Sequence, residues 1–246
     1  MRWIFLIPVC FYSSCGPDKD PQEWVHTLRV MGAKVDHSVL NGESTDPLTT
    51  AFTFYALLPK DGTIQVEDLF TDPQAKYSTP ATLTLTLPNE NPYTDFGPLK
   101  LYTLKGSLTI PPVSAKTLQA SQNLVRVRYG IQIGDGSRTE RLVGDMLVVN
   151  KDSEALKFVT PDVSFAQPDG ETVPFAKEID IEATLTKHQD ENVKIGWFVS
   201  SGTIQNRRAK KTIWQPKEAG EHTLCVAIYA SKSRFFNFAI KKITLQ

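Results

Sequence analysis

Alternation of apolar and polar residues runs through most of the chain and predicts β-strands. The clearest example is residues 124–149, which we interpret as a hairpin. The apolar side of its first strand comprises Val125, Val127, Tyr129, Ile131 and Ile133. The polar side comprises Arg126, Arg128, Gly130 and Gln132. The connecting sequence Gly134-Asp135-Gly136-Ser137 favours a tight turn, because glycine readily adopts positive φ.

The same pattern predicts further strands along the chain, most of them bounded by proline or by Asn-Gly and Asp-Gly pairs. In the first part they cover residues 24–35, 52–57, 82–87 and 99–110. In the second part they cover residues 178–186, 193–200, 211–214, 222–229 and 235–244. A helix of one or two turns is predicted over 114–121. The sequence therefore predicts an all-β protein.

A polar break at residues 150–153, followed by Pro161, Pro168 and Pro174, predicts a domain boundary near residue 155. The two predicted domains are residues 25–154 and 155–246. Short strands at intervals of 8–12 residues are typical of β-sandwiches. Trp197 falls on the third strand of the second domain, on the same face as Ile195 and Val199, and we expect it in the core.

Composition narrows the class of protein. The chain has 246 residues, of which 41% are hydrophobic, so it is long enough and apolar enough for one or two folded domains. It carries 27 basic and 27 acidic residues, and the resulting net charge of zero argues against nucleic-acid binding.

The amino terminus has the pattern of a secretory signal: Arg2, then an uncharged apolar run over residues 3–12, then small residues. The apolar run is too short to span a bilayer, which needs about 20 residues. Ser13-Ser14-Cys15 resembles the lipobox of bacterial lipoproteins, although that family usually has Leu where this chain has Tyr12. Cys10 is a poorer candidate, because Pro8 and Val9 precede it. The alternatives are an ordinary cleaved signal and a wrongly assigned start with two incidental cysteines.

The resemblance implies that residues 1–14 are removed and that Cys15 becomes the first mature residue, carrying three acyl chains such as palmitate. Residues 15–24 would then form a short tether rich in Pro, Asp and Gly. Three chains are more than stable anchoring requires. Because Gly16 rather than Asp follows the cysteine, the expected location is the outer membrane of the bacterial cell envelope, on its periplasmic or surface face.

A second resemblance concerns the carboxy-terminal part. Residues 197–204, Thr212-Ile213-Trp214 and residues 219–224 resemble the tryptophan strand and the following strands of a bacterial Ig-like or PKD-like module. The whole chain also resembles envelope lipoproteins of predatory and gliding bacteria, in the strand around residues 28–33 and in the mid-chain hairpin. The resemblance implies two Ig-like β-sandwich domains in tandem, without catalytic residues.

Candidate chemistry is sparse. No familiar catalytic or phosphate-binding motif occurs, and the four histidines are scattered singly. The loops at Gly134-Asp135-Gly136 and Asp190-Glu191-Asn192 lack the carboxylate spacing of a calcium loop, so turn chemistry is the simpler interpretation. Cys225 lies in an apolar run and is expected to be a buried thiol without a disulfide partner. We therefore predict no catalytic residues, cofactor or metal.

Two basic segments have competing interpretations. Residues 207–211, Arg-Arg-Ala-Lys-Lys, could contact anionic headgroups or glycans, but protection of an edge strand is the favoured interpretation. Residues 231–238 mix basic and aromatic residues, and we expect Phe236 and Phe238 in the core with Phe235 outward or in a bend.

The predicted function is that of a non-enzymatic, membrane-anchored lipoprotein that binds a protein or a glycan through loops or an edge strand. The alternatives are a structural subunit of an envelope complex, which an exposed apolar patch would favour, and a hydrolase with a site assembled from distant residues.

Overall fold

A computed structural model of the chain describes Val25 and residues 28–36, 39–42, 45–71, 82–85, 93–157, 161–186, 192–230 and 235–246. These residues form four β-sheets, one six-residue α-helix and one 3₁₀-helix at Glu154–Lys157. The predicted all-β class is confirmed.

Residues 29–149 supply two of the sheets. Their strands are β1 (Arg29–Val35), β2 (Val39–Asn41), β3 (Leu48–Pro59), β4 (Gln65–Thr71), β5 (Thr82–Leu85), β6 (Tyr93–Phe96), β7 (Leu99–Ile110), β8 (Leu124–Gly134) and β9 (Thr139–Val149). Sheet 1 has the order β2-β9-β8-β4, and sheet 2 has the order β1-β3-β7-β5 with β6 also paired to β7. Together they form the first sandwich.

Residues 162–245 supply the other two sheets. Their strands are β10 (Asp162–Gln167), β11 (Thr172–Val173), β12 (Ile179–Thr186), β13 (Val193–Val199), β14 (Thr203–Ile204), β15 (Lys211–Gln215), β16 (Gly220–Ala230) and β17 (Phe235–Leu245). Sheet 3 has the order β11-β17-β16-β13, and sheet 4 has the order β10-β12-β15-β14. These sheets form the second sandwich, and no described strand pairs across the two sandwiches.

Both sandwiches have the strand order of an immunoglobulin domain. When the strands of the second sandwich are lettered A to G along the chain, sheet 4 is A-B-E-D and sheet 3 contains C-F-G. The short strand β11 adds to β17 in parallel, and β2 adds to β9 in the same way in the first sandwich. The first sandwich repeats the whole order, with β5 and β6 sharing the place of strand D. The protein is therefore a pair of Ig-like sandwiches in tandem.

Two regular features match the sequence predictions closely. The five apolar residues of the predicted hairpin strand are all buried in the first core, and β8 pairs with β9 throughout, from Leu124 opposite Val149 to Gly134 opposite Thr139. The predicted helix is α1 (Ala115–Ala120), which Ser114 caps by accepting a hydrogen bond from the Thr117 amide at 3.1 Å. In the turn, Gly136 has positive φ and Gly134 does not.

Each sandwich encloses its own hydrophobic core. The first lies between sheets 1 and 2 and includes Phe52, Phe54 and Tyr129, whose rings contact one another. The second lies between sheets 3 and 4 and includes Trp197 and Trp214, with relative exposures of 1% and 0%. The predicted core position of Trp197 is confirmed, and it shares its cluster with Ile195 and Val199 as expected.

A third apolar cluster joins the two sandwiches. Residues of sheet 2 that point away from the first core meet residues of sheet 3 that point away from the second. The cluster contains Val25, Met31, Tyr55, Leu57, Phe96, Leu99, Leu101, Phe198, Cys225, Phe238 and Ile240. The four sheets are consequently stacked in the order 1-2-3-4, and sheets 2 and 3 are apolar on both faces, as fully covered sheets are.

Two aromatic residues of β17, Phe236 and Phe238, lie at this junction. Phe238 contacts Tyr55 with ring centroids 4.6 Å apart, and Phe236 lies over Gly32, where a Cβ atom would be 2.4 Å from its ring. The predicted alternation of Phe236 and Phe238 is correct, but they face the other sandwich. The expectation that Phe235 lies outward or in a bend is wrong, because Phe235 is the first residue of β17 and is 6% exposed.

Candidate functional site

The outer face of sheet 1 carries a three-layer stack of glycine, phenylalanine and arginine. Phe70 on β4 lies over Gly130 on β8, where a Cβ atom would be 2.1 Å from the Phe70 Cζ. The Arg141 guanidinium from β9 covers the other side of the Phe70 ring, with its carbon 3.9 Å from the ring centroid. The stack leaves Arg141 exposed on a flat sheet surface.

Two further arginines continue this face along β8. Arg128 Nε is 3.1 Å and Arg126 Nε is 3.9 Å from the two carboxylate oxygens of Asp145 on β9. The Asp145 carboxylate is thus paired with two arginines, whose side chains are 35–39% exposed. At the other end of the face, Glu67 accepts hydrogen bonds from Gln132 and Thr139 at 2.9 Å each. The surface is a mosaic of cationic, amide and carboxylate groups around an aromatic ring.

Sequence reasoning missed this stack because it did not predict β4. A bulge between Val66 and Asp68 shifts the register, so the inward residues Val66 and Leu69 are three positions apart instead of two. The glycine in the middle of β8 was the available signal, since an interior strand glycine often marks a close approach by another group.

Asp135, considered above as a calcium ligand, has both carboxylate oxygens hydrogen-bonded to other groups of the protein. Its Oδ1 accepts hydrogen bonds from Ser137 N, Ser137 Oγ and Arg138 N, and its Oδ2 accepts one from Leu28 N at 2.9 Å. Burial acts to raise its pKa, but these four donors outweigh burial and lower the pKa to about 2. Turn chemistry, combined with a clamp on the chain entering β1, accounts for this residue.

Glu140 extends the clamp. It accepts a hydrogen bond from the Val30 amide at 2.8 Å and pairs with Arg29 at 3.2 Å and Arg138 at 3.1 Å. Asp135 and Glu140 together therefore satisfy alternate amides along the start of β1, so two carboxylates of the β8–β9 hairpin occupy part of this strand edge.

The described histidine and cysteine are core residues. His222 is 3% exposed, its Nε2 lies 3.0 Å from the Glu218 carbonyl oxygen, and its ring contacts Trp214 edge-on at 5.2 Å. Cys225 is 1% exposed in the cluster between the sandwiches, and burial raises the pKa of its thiol. The expected buried state of Cys225 is confirmed.

Other predicted features fall outside the described residues. These are the signal segment, Cys10, Cys15, the tether, the other three histidines, and Asp190 with Glu191. Within the described ranges, no group of three or more His, Cys, Asp or Glu residues could hold a metal ion. In the same ranges no helix has the length and apolarity needed to cross a membrane.

Comparisons with known proteins return solved structures of low sequence identity and low structural similarity. No protein-family model matches the sequence, and a search of curated protein sequences finds no match. The fibronectin(III)-like modules of Clostridium thermocellum CbhA align with 87% of this chain and 94% of their own at 16% identity, with a TM-score of 0.33. The four N-terminal Ig domains of Dscam1 align with 89% of this chain and 52% of their own at 10% identity, with a TM-score of 0.22. The Ig-like assignment rests on the strand order described above.

Proposed function

We propose that the protein is a non-enzymatic, lipid-anchored protein of the bacterial cell envelope that binds a protein or a glycan through the outer face of sheet 1. One observation carries the choice of face. The equivalent C-F-G sheet of the second sandwich is covered by sheet 2. On the outer face of sheet 1, in contrast, the side chains of Arg126 and Arg128 are 39% and 35% exposed, and Arg141 is also exposed. Arginine and aromatic residues are enriched in protein interfaces.

The geometry of the Phe70–Arg141 stack favours recognition. Arg141 rests on an aromatic ring, so its planar fork is partly ordered before a ligand arrives, and less rotamer entropy is lost on binding. Its neighbours offer further donors and acceptors on a rigid sheet. An oxygen-rich ligand, such as a peptide carboxylate or a sugar, suits such a surface.

The anchoring part of the proposal rests on the sequence around Cys15. Replacing Cys15 with Ala should release the protein from membrane pellets and abolish labelling by a fatty-acid probe. Replacing Cys10 with Ala is the matched control and should change neither result. Labelling that persists in Cys15→Ala would exclude this residue as the lipid acceptor.

The binding part is tested by substituting the candidate face. The membrane-anchored protein is isolated with its bound material as wild type, as Arg141→Glu and as Lys116→Glu, which makes the same charge change on the exposed surface of α1. Material that copurifies with wild type and Lys116→Glu but is lost from Arg141→Glu supports this face. Equal recovery from all three proteins would exclude it. A fixed stoichiometry resistant to salt would instead favour the structural-subunit alternative.

A further inference from the structure

The basic segment of residues 207–211, hereafter the basic turn, joins strand β14 at the edge of sheet 4 to β15. Its backbone is fastened to the second sandwich at three points. The Arg207 carbonyl accepts the Trp197 amide at 3.1 Å, the Ala209 carbonyl accepts the Trp197 indole N–H at 2.9 Å, and the Lys210 carbonyl accepts the Ala183 amide at 2.9 Å. The turn is therefore held in place, whatever its side chains contact.

The side chains of the basic turn reach solvent. Arg208, Lys210 and Lys211 are exposed. Lys211 pairs with Asp180 at 3.5 Å, but both side chains are about 60% exposed, where such a pair is weak. Glu182 is the cross-strand neighbour of Lys211. The turn thus carries four cations, and the described part of the adjoining strand β12 carries two carboxylates, Asp180 and Glu182.

The position of the turn relative to the start of the described chain is the new observation. The Val25 amide donates to the Val199 carbonyl at 2.8 Å, and the Arg207 carbonyl accepts from Trp197, two residues back along the same strand. Two residues of a strand span about 7 Å. Val25, ten residues after Cys15 in the sequence, therefore lies beside the basic turn.

The separation from Cys15 sets how far the fold can be from the membrane. Cys15 precedes Val25 by ten residues (25 − 15), and ten fully extended residues reach at most about 36 Å. Attraction between the turn and a charged surface is effective over roughly one Debye length, about 8 Å at physiological salt. Because Val25 lies beside the turn, a linker of this reach allows the cations to come within that distance of the membrane surface.

We propose that the basic turn contacts the anionic phospholipid surface of the membrane that holds the Cys15 lipid, so that this edge of the second sandwich rests on the headgroups. The proposal rests on the anchoring part of the proposed function. One lipid anchor and one basic patch form a recognised pair of membrane signals. The alternative role of the basic turn, which is to protect the edge strand β14 from pairing with another sheet, is compatible with this contact. That role alone, however, predicts no affinity for lipid.

The test uses unlipidated protein that begins at Gly16, which keeps every described residue and separates the contact from the anchor. Binding is measured by cosedimentation with phosphatidylglycerol-containing vesicles and with vesicles of phosphatidylcholine alone, at low and high salt. The variant Arg208→Gln/Lys210→Gln/Lys211→Gln removes three cations. Lys34→Gln/Lys105→Gln/Lys116→Gln removes three exposed cations elsewhere and is the matched control.

Wild type should prefer phosphatidylglycerol vesicles, and high salt should abolish the preference. Each cation near the surface contributes roughly fivefold to partitioning, so the basic-turn variant should bind at least about tenfold more weakly, after screening, while the control stays within about twofold. Equal binding by both variants, or no preference by wild type, would overturn the contact and leave edge protection. These results are independent of Cys15 labelling, so failure of the anchor and failure of the contact are distinguishable. If the basic-turn variant does not fold, the wild-type protein provides the test: no preference for phosphatidylglycerol vesicles, or a preference that high salt leaves unchanged, would overturn the contact.

Discussion

Replacing Trp197 with Ala tests the core of the second sandwich. Trp197 is 1% exposed, packs against Phe165 with ring centroids 5.8 Å apart, and donates its indole N–H to the Ala209 carbonyl. Truncating a buried Trp costs about 3–5 kcal/mol through lost burial and the cavity that remains. Loss of the hydrogen bond adds about 1 kcal/mol. The expected loss of about 4–6 kcal/mol approaches the whole stability of a modest domain, about 5–15 kcal/mol.

Urea unfolding measures this loss. With a slope of about 1–3 kcal/mol per molar urea, the midpoint should fall by roughly 1–6 M, or the variant should lack a folded baseline. Trp214 stays in the second core and reports unfolding by fluorescence, with circular dichroism as the second probe.

Trp197→Phe is the matched control. It keeps an aromatic ring in the cavity and removes the indole donor, so it should lose about 1–3 kcal/mol and remain folded. A loss below about 1 kcal/mol for Trp197→Ala would refute the reasoning, because a residue that fills this core cannot be truncated at so little cost.

The remaining predictions concern the clamp, the stack, the thiol and the domain boundary. Asp135, with its lowered pKa, stabilises the fold above its unfolded pKa of about 3.8, and this contribution is lost as the pH falls towards 2. Asp135→Asn should therefore lower the free energy of unfolding by about 1 kcal/mol at neutral pH, after allowance for screening. The difference in thermal unfolding midpoint between this variant and wild type should disappear near pH 2. Gly130→Ala should lower stability by about 1–3 kcal/mol in urea unfolding, because its Cβ would lie 2.1 Å from Phe70 Cζ and 2.6 Å from the Leu142 carbonyl oxygen; unchanged stability would contradict the stack. Cys225 should react with a thiol reagent at the rate of global unfolding, and rapid labelling of the native protein would contradict its burial. Residues 156–246 should melt cooperatively when expressed alone, as the predicted boundary requires, but should self-associate in sedimentation analysis, since Phe198, Phe238 and Ile240 lose their cover; a fragment without a cooperative transition would count against the boundary.

Periodicity in the amino-acid sequence is enough to predict the secondary structure wherever the alternation is undisturbed. Residues 125–133 alternate strictly, and their five apolar side chains are all buried; Gly130, on the other face, is buried by Phe70. Ser114 marks the start of the helix by a local cap. These features depend on near neighbours in the chain, so a pattern of period two or a capping residue is sufficient to predict them. Trp197 was predictable for the same reason.

The tertiary structure decided which faces meet and which residues form the candidate surfaces. Strand β3 is apolar on both faces, with Phe54 in the first core and Leu57 in the junction, and periodicity cannot assign two buried faces to different partners. Bulges concealed β4 and β10 by breaking the period. The hydrogen bond between Asp135 and Leu28 joins residues 107 positions apart in the sequence. Val25 lies beside the basic turn because both contact strand β13, and neither the sequence around Val25 nor that of the turn indicates this contact. Such placements follow from sheet stacking, which is decided by the packing of distant surfaces rather than by the local pattern that forms each strand.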